Sequence, residues 1–174
     1  MTTAMRIRRL HTVEAKHVLE LSAVLVDCVD QGASVSFMAP LTLAAAQAFW
    51  EDVALGVEKG LRILLVAEDA SEQIVGTVQL LVDTPPNQPH RADVAKMLVR
   101  SAARCRGVGE QLLRALELEA QRAGRRVLVL DTVTGGAGER LYTRLGWTRV
   151  GEIPDYALWP RGGYCSTTFF YKTL

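Results

Sequence analysis

The chain has 174 residues, of which 49% are hydrophobic and 22% are charged, so it suits one folded domain with a sizeable core and not a disordered chain. Its 20 basic and 19 acidic residues nearly cancel, which argues against nucleic acid or an anionic membrane surface as a partner. No apolar run has membrane-spanning length, residues 1–6 lack a signal-peptide core, and three cysteines match neither a disulfide framework nor a zinc site, so we expect a cytoplasmic protein without a metal.

The first half of the chain predicts a short strand, two helices and a pair of strands. Apolar residues recur at helical spacing from Val18 to Val29, and Gly32 is a natural helix end. Thr42 can cap the second helix, and residues 69–72 suit a hairpin turn. In chain order we predict a strand at 7–10, helices at 13–31 and from Thr42 to about 59, and strands at 62–68 and 74–82.

The second half alternates strands with helices. Three prolines make residues 83–90 a loop, and the continuously apolar residues 127–130 are typical of a strand buried on both faces. The predicted elements are a strand at 91–99, a helix at 107–123, a strand at 127–130, a helix at 137–144, and strands at 147–152 and 167–172 joined by a loop rich in Pro and Gly. This order predicts one mixed α/β domain over residues 1–174, with a right-handed βαβ crossover around the helix at 107–123.

A glycine-rich loop leads from the strand at 91–99 into the following helix. Its residues are Arg104, Cys105, Arg106, Gly107, Val108 and Gly109. Glycines let the backbone approach an anion, a helix start presents free N–H groups, and arginines add charge-assisted bonds. A dinucleotide fingerprint fails because Leu112 stands in place of its last glycine, and no Gly-Lys-Ser/Thr follows. The loop therefore indicates a pyrophosphate cradle, with a simple helix-entry loop as the alternative.

A second motif reads Leu141, Tyr142, Thr143, Arg144, Leu145, Gly146 and Trp147. Together with the loop and the order of elements, it resembles the GNAT superfamily of acetyl-CoA-dependent N-acetyltransferases along nearly the whole chain. The resemblance implies the GNAT fold, with a mostly antiparallel central sheet of about seven strands, one parallel crossover and flanking helices. It also implies acetyl-CoA as the cosubstrate.

Several stretches are similar, more narrowly, to the acetyltransferases of tabtoxin resistance. They are residues 32–38, 91–99, 130–132 and 148–154, together with Tyr142. This similarity implies a small, amino-acid-like acceptor amine, such as a toxin or an antibiotic. Within the loop at 32–38, Ser34, Phe37 and Met38 are the predicted substrate-binding residues, although core packing is an equal alternative for Phe37 and Met38.

The family resemblance assigns roles at the donor side of the site. It implies that the backbone of Met97, Leu98 and Val99 pairs with the pantetheine arm, and that the glycine-rich loop holds the pyrophosphate. A solvated surface position is the alternative for Arg106. We regard Cys105 as an incidental member of the loop, because nothing nearby in the sequence makes a Cys–His pair.

The resemblance also implies three catalytic residues. Asp93 and Asp131 attract the acceptor amine, and one of them relays its proton; Tyr142 supplies a proton to the CoA sulfur. The alternatives are a surface carboxylate for Asp93, a turn or capping residue for Asp131 and a packed core tyrosine for Tyr142. Gly135 and Gly138 stand where many family members have Asn and Ala, so a cofactor contact through that Asn is missing or replaced.

Direct acetylation of a primary amine on a small molecule is therefore the predicted function. Acetylation of peptide or protein amines is one alternative, and a catalytically silent acyl-CoA-binding domain is another. The sequence leaves the oligomeric state open, including a homodimer, and does not identify the acceptor.

Overall fold

The structure is a computed structural model that describes residues 5–174. Residues 1–4 lie outside this range. They make up most of residues 1–6, on which the predicted absence of a signal peptide rests. No helix in residues 5–174 combines the length and the apolar character needed to cross a membrane.

Seven strands and four α-helices make up this part of the chain. They are β1 (Arg6–Leu10), α1 (Ala15–Asp30), α2 (Leu43–Glu58), β2 (Arg62–Glu68), β3 (Ile74–Leu81), β4 (Arg91–Val99), α3 (Val108–Arg122), β5 (Val127–Val133), α4 (Ala137–Arg144), β6 (Thr148–Leu158) and β7 (Tyr164–Thr173). A short 3₁₀ turn, Ser101–Ala103, precedes α3. The predicted cap is present at α2, where the Thr42 hydroxyl accepts a hydrogen bond from Ala45 N at 3.2 Å.

The strands form one sheet in the order β1-β2-β3-β4-β5-β7-β6. All neighbours are antiparallel except β4 and β5, which α3 connects as the crossover. The predicted mixed α/β fold with a mostly antiparallel seven-stranded sheet is therefore confirmed. The alternation of β2 shows how the sheet separates two cores: Leu64 and Val66 pack with α1 and α2, whereas Leu65 and Ala67 pack with α3.

Three strands at the C-terminal side of the sheet are longer than predicted. β5 continues to Val133, so Asp131 lies within the strand and not at its end. Most of the predicted loop after residue 152 is strand, because a register shift between Ile153 and Ala157 accommodates Pro154 in a bulge. Burial also differs in β5: Leu128 is buried but its neighbours are only partly so, since side chains alternate between faces.

Leu116 on α3 contributes strongly to stability. Its side chain is 0% exposed in the core between α3 and the sheet, whereas Leu118 on the same helix is 55% exposed. Leu116→Ala is expected to lower the free energy of unfolding by about 2–5 kcal/mol, because it removes buried methyl groups and leaves a cavity. Leu118→Ala is the matched control and should change it by less than about 0.5 kcal/mol in urea denaturation. Equal effects of the two substitutions would contradict this packing.

Candidate active site

A cavity of about 980 Å³ opens between β4 and β5. These two strands pair only at Arg91–Val127, Ala92–Leu128 and Asp93–Val129. Beyond those pairs both strands continue without pairing to each other, and the cavity occupies the gap between residues 94–99 and 131–133. The divergence leaves the β5-facing edge of the end of β4 without a strand partner, so its backbone groups are available to an extended ligand.

The start of α3 forms the polar end of the cavity. Gly107 caps the helix in the left-handed region at φ 75°, and the first backbone hydrogen bond of the turn runs from Gln111 N to Gly107 O at 3.1 Å. Within the described part of the chain, the backbone N–H groups of residues 105–110 have no backbone carbonyl as a hydrogen-bond acceptor. A row of free N–H groups at the positive end of a helix dipole is suited to an anion such as a pyrophosphate.

The side chains of this loop are placed differently from one another. The Arg104 guanidinium turns back to β4, where Nε donates to Val99 O at 3.0 Å and Nη2 lies 3.7 Å from Cys28 Sγ. Arg106 is exposed and lies outside the cavity wall, while Cys105 lines the wall in the left-handed conformation at φ 58°. The anion would therefore meet mainly backbone N–H groups, with Arg104 as a nearby positive charge.

The predicted pantetheine-binding residues, Met97, Leu98 and Val99, all line the cavity. Leu98 is buried, and Met97 and Val99 are partly so. Close approach at this point depends on Gly109, where a Cβ would lie 3.0 Å from both Met97 Cε and Leu141 Cδ2. The second glycine of the loop therefore lets α3 start close to β4 and α4.

Asp131 lies on the β5 wall of the cavity and is open to solvent. Thr167 on the neighbouring β7 orients the carboxylate. Its hydroxyl lies 2.8 Å from Asp131 Oδ2 and 2.9 Å from Thr132 O and can donate a hydrogen bond to either oxygen. The other carboxylate oxygen of Asp131 is left for a ligand. A carboxylate held in this way at the mouth of the gap can bind a cationic amine.

Tyr142 lies on α4 and lines the same cavity. It is 5% exposed, and its ring packs against Trp147 and Phe170 with centroids 5.7 and 5.9 Å away. Burial raises the pKa of Tyr142 well above its usual value, and the negative charge of Asp131 raises it further. The phenol therefore stays protonated at neutral pH and can donate a hydrogen bond into the cavity.

Asp93 is not brought together with Asp131 and Tyr142. Its carboxylate forms an ion pair with Arg91 on the same strand, and it lies outside the cavity wall. The reason is the register: Asp93 belongs to the last paired position of β4 and β5, before the two strands separate.

The three predicted substrate-binding residues, Ser34, Phe37 and Met38, lie in the loop after α1 and also line the cavity. Ser34 Oγ donates to Leu158 O at 2.8 Å, which ties this loop to the end of β6. Phe37 packs edge-on against Phe49 of α2 at 5.3 Å, and Met38 is half-exposed. The loop therefore joins the two helices on this face to the C-terminal strands and closes one side of the cavity.

Lys96 is a cavity residue that the sequence analysis missed. It is half-buried, and its Nζ donates to Ser36 Oγ at 3.1 Å. The available signal was a single lysine inside the apolar run from Val94 to Val99. Alternation alone does not place this residue, because a β-bulge shifts the register of β4 at this point.

The two glycines that depart from the family pattern have different structural reasons. Gly135 has φ 74°, a conformation that favours glycine, and a Cβ there would meet nothing within 4 Å. A Cβ at Gly138 would lie 2.6 Å from Thr132 Oγ1, so an alanine there would require the Thr132 side chain to move. A threonine on β5 therefore occupies the space of the usual side chain at this position.

Comparison with known proteins identifies a family that this chain matches. Residues 60–149 match the family model of the acetyltransferase (GNAT) domain. An uncharacterized N-acetyltransferase from Azospirillum brasilense is 30% identical over 166 residues, which cover 93% of this chain and 96% of the relative. An L-methionine sulfoximine/L-methionine sulfone acetyltransferase from Pseudomonas aeruginosa is 32% identical over 135 residues, 76% of each chain.

Solved structures show the same fold. An acetyltransferase from Acinetobacter baylyi superposes with a TM-score of 0.82 at 19% identity, covering 100% of this chain and 95% of that one. An acetyltransferase from Salmonella typhimurium, solved with its cofactor acetyl-CoA, gives a TM-score of 0.78 at 22% identity, covering 98% and 94%. The arrangement of β4, β5 and α3 thus occurs in a fold that is known with acetyl-CoA bound.

Proposed function

The chain belongs to the GNAT family of acetyltransferases and is an N-acetyltransferase, and we propose that it transfers acetyl from acetyl-CoA directly to the primary amine of a small amino-acid-like molecule. The observation that carries this proposal is that the start of α3, with its free N–H groups, lines the same cavity as Asp131 and Tyr142. The name of the Pseudomonas aeruginosa relative, which acts on two methionine analogues, supports the acceptor class.

Two finer expectations belong to this proposal. The stretches similar to tabtoxin-resistance acetyltransferases extend the acceptor class to toxins of amino-acid type. A cytoplasmic setting is supported by Cys28, Cys105 and Cys165, which are all free thiols, as suits a reducing compartment.

Acetyl-CoA matches the donor side of the cavity chemically. Its pyrophosphate would accept hydrogen bonds from the N–H groups at the start of α3, and its pantetheine amides would pair with the free edge of β4 at Met97 and Leu98. The Val99 carbonyl already accepts from Arg104, so that arginine braces the end of the strand. This arrangement aims the thioester into the gap between β4 and β5.

Gly107 is expected to matter for donor binding. Gly107→Ala should weaken acetyl-CoA binding about tenfold, because a Cβ at φ 75° costs roughly 1–2 kcal/mol and the loop must change to relieve it. Gly124→Ala at the other end of α3 is the matched control, with φ 71° and open space around it. Gly124→Ala should lower the free energy of unfolding about as much as Gly107→Ala does. It should leave the dissociation constant of acetyl-CoA, measured by calorimetry, unchanged. Equal losses of affinity in both variants would remove the loop from the donor site.

In the proposed reaction, Asp131 binds the acceptor ammonium and relays one of its protons to cavity water, which frees the nitrogen lone pair. The nitrogen attacks the thioester carbonyl carbon, so a C–N bond forms and the C–S bond breaks. The second proton leaves the new amide nitrogen through cavity water, and CoA departs as a thiolate that is then protonated. No covalent enzyme intermediate is needed, because both substrates occupy one cavity.

Tyr142 acts in this scheme mainly as a hydrogen-bond donor to the departing sulfur. A thiol has a pKa of about 8.5, below that of a buried tyrosine, so full proton transfer from Tyr142 would be uphill. The charge of Asp131 contributes to that high pKa. When Asp131 takes up the proton of the acceptor, this contribution disappears, and Tyr142 becomes a better donor at the moment when charge develops on sulfur.

A thiol-release assay tests the function. Acetyl-CoA is supplied with L-methionine sulfoximine, L-methionine sulfone, a β-lactam amino acid, spermidine or a short peptide. We expect CoA release with amino-acid-like acceptors and much less with spermidine or the peptide. Release only with the peptide would support the protein-acetylating alternative, and binding of acetyl-CoA without release from any amine would support a silent binding domain.

A further inference from the structure

We propose that Lys96 binds the carboxylate of the acceptor while Asp131 binds its ammonium, so that the enzyme selects free amino acids as zwitterions. This inference rests on the proposed function and narrows its acceptor class. It makes Lys96 a specificity-determining residue and not a member of the acetyl-transfer chemistry.

Lys96 and Asp131 carry opposite charges and line the same gap between β4 and β5. Both side chains belong to the wall of the same cavity, Lys96 on the β4 side and Asp131 on the β5 side, beyond the last paired residues Asp93 and Val129. They are close enough for the charge of Asp131 to act on Lys96, yet they do not form an ion pair. A ligand with one negative and one positive group can therefore be held between them.

Lys96 is held in place by its own surroundings. Its backbone lies in the left-handed region at φ 50°, at the register shift where β4 bulges opposite β3. Bulges of this kind change the direction of a side chain. The ammonium donates to Ser36 and lies 5.9 and 5.6 Å from the ring centroids of Phe37 and Phe49. Cation–π contact with two rings fixes a cation without neutralising it.

Lys96 differs from Lys172 in having no carboxylate partner among residues 5–174. Lys172, also partly buried, has a structural partner, since its Nζ lies 2.8 Å from Glu117 Oε1. In residues 5–174 no carboxylate lies within 4.0 Å of Lys96 Nζ. Burial lowers the pKa of Lys96, Asp131 opposes this shift, and the positive charge of Arg62 reinforces it. A half-buried ammonium without a counter-ion is costly, so a ligand carboxylate would be strongly favoured there.

The charge pattern also rejects other amines. A polyamine would bring a second positive group toward Lys96 and be repelled. The N-terminal amine of a peptide or a simple alkylamine would reach Asp131 but leave the ammonium of Lys96 without a carboxylate. Only an acceptor that carries an ammonium and a carboxylate within a few bonds of each other can bind Asp131 and Lys96 together.

The test compares L-methionine sulfone with its α-carboxamide as acceptors. For the unmodified enzyme we expect the KM of the carboxamide to be roughly 10- to 100-fold higher, because the charge-assisted bond to Lys96 is lost. Lys96→Met should raise the KM for the sulfone by a similar factor with a small change in kcat, and abolish the difference between the two acceptors. Lys96→Arg should restore much of the preference for the sulfone over the carboxamide. The surface variant Lys16→Met should behave like the unmodified enzyme.

The outcomes separate this inference from the function on which it rests. Equal KM values for sulfone and carboxamide in the unmodified enzyme, or discrimination that survives in Lys96→Met, would overturn the role of Lys96 alone. Failure of the unmodified enzyme to acetylate any amino acid, with acetyl-CoA binding intact, would overturn both. The carboxamide comparison needs no variant, so poor folding of Lys96→Met would not obscure the result.

Discussion

Asp131→Asn is expected to lower kcat/KM for the acceptor by about 1,000-fold, because one change removes both the proposed proton acceptor and the negative charge proposed to attract the ammonium. The amide keeps the size of the carboxylate and can still contact Thr167, so the fold and the donor site should be preserved. Steady-state kinetics with a methionine analogue would measure the loss, and calorimetry should show an unchanged dissociation constant for acetyl-CoA.

Asp93→Asn is the matched control for this prediction. Asp93 is a carboxylate near the same gap, but it is ion-paired with Arg91 and lies outside the cavity wall. Its loss should change kcat/KM by less than about threefold. A large loss in Asp93→Asn together with near-normal turnover in Asp131→Asn would transfer the proton-accepting role to Asp93.

Tyr142→Phe is expected to lower kcat by about 100-fold, the cost of removing one preorganised donor to a developing negative charge. The ring contacts with Trp147 and Phe170 remain, so thermal stability should change little. Because the lost bond matters mainly when the sulfur becomes negative, the affinity for acetyl-CoA should stay within about twofold of its original value.

Tyr156→Phe provides a matched comparison for the hydroxyl. Tyr156 lines the same cavity, is half-exposed and packs edge-on against Phe169 at 5.8 Å. Its hydroxyl has no assigned part in the reaction, so kcat should stay within about twofold. If Tyr142→Phe behaved like Tyr156→Phe, the hydrogen bond to sulfur would be absent from the mechanism.

Local patterns predicted most of the fold. The bounds of β2, β4 and α4 agree with the predicted ranges, because each has a clear apolar pattern and a definite stop in the chain. The bounds of β6 and β7 were wrong. Pro154 and Gly162 read as loop residues, but pairing with β7 continues through a bulge at Pro154, and Gly162 lies in the short turn between the strands.

The sequence by itself determined the crossover, the glycine-rich loop and the membership of Tyr142 in a family motif. These features depend on residues close together in the chain, such as Gly107, whose φ of 75° suits glycine at the start of a helix. The separation of Asp131 from Asp93, and the position of Lys96, were decided only by the tertiary structure. They depend on where β4 and β5 stop pairing and on a bulge against β3, and pairing between distant segments is set by the packing of the whole sheet.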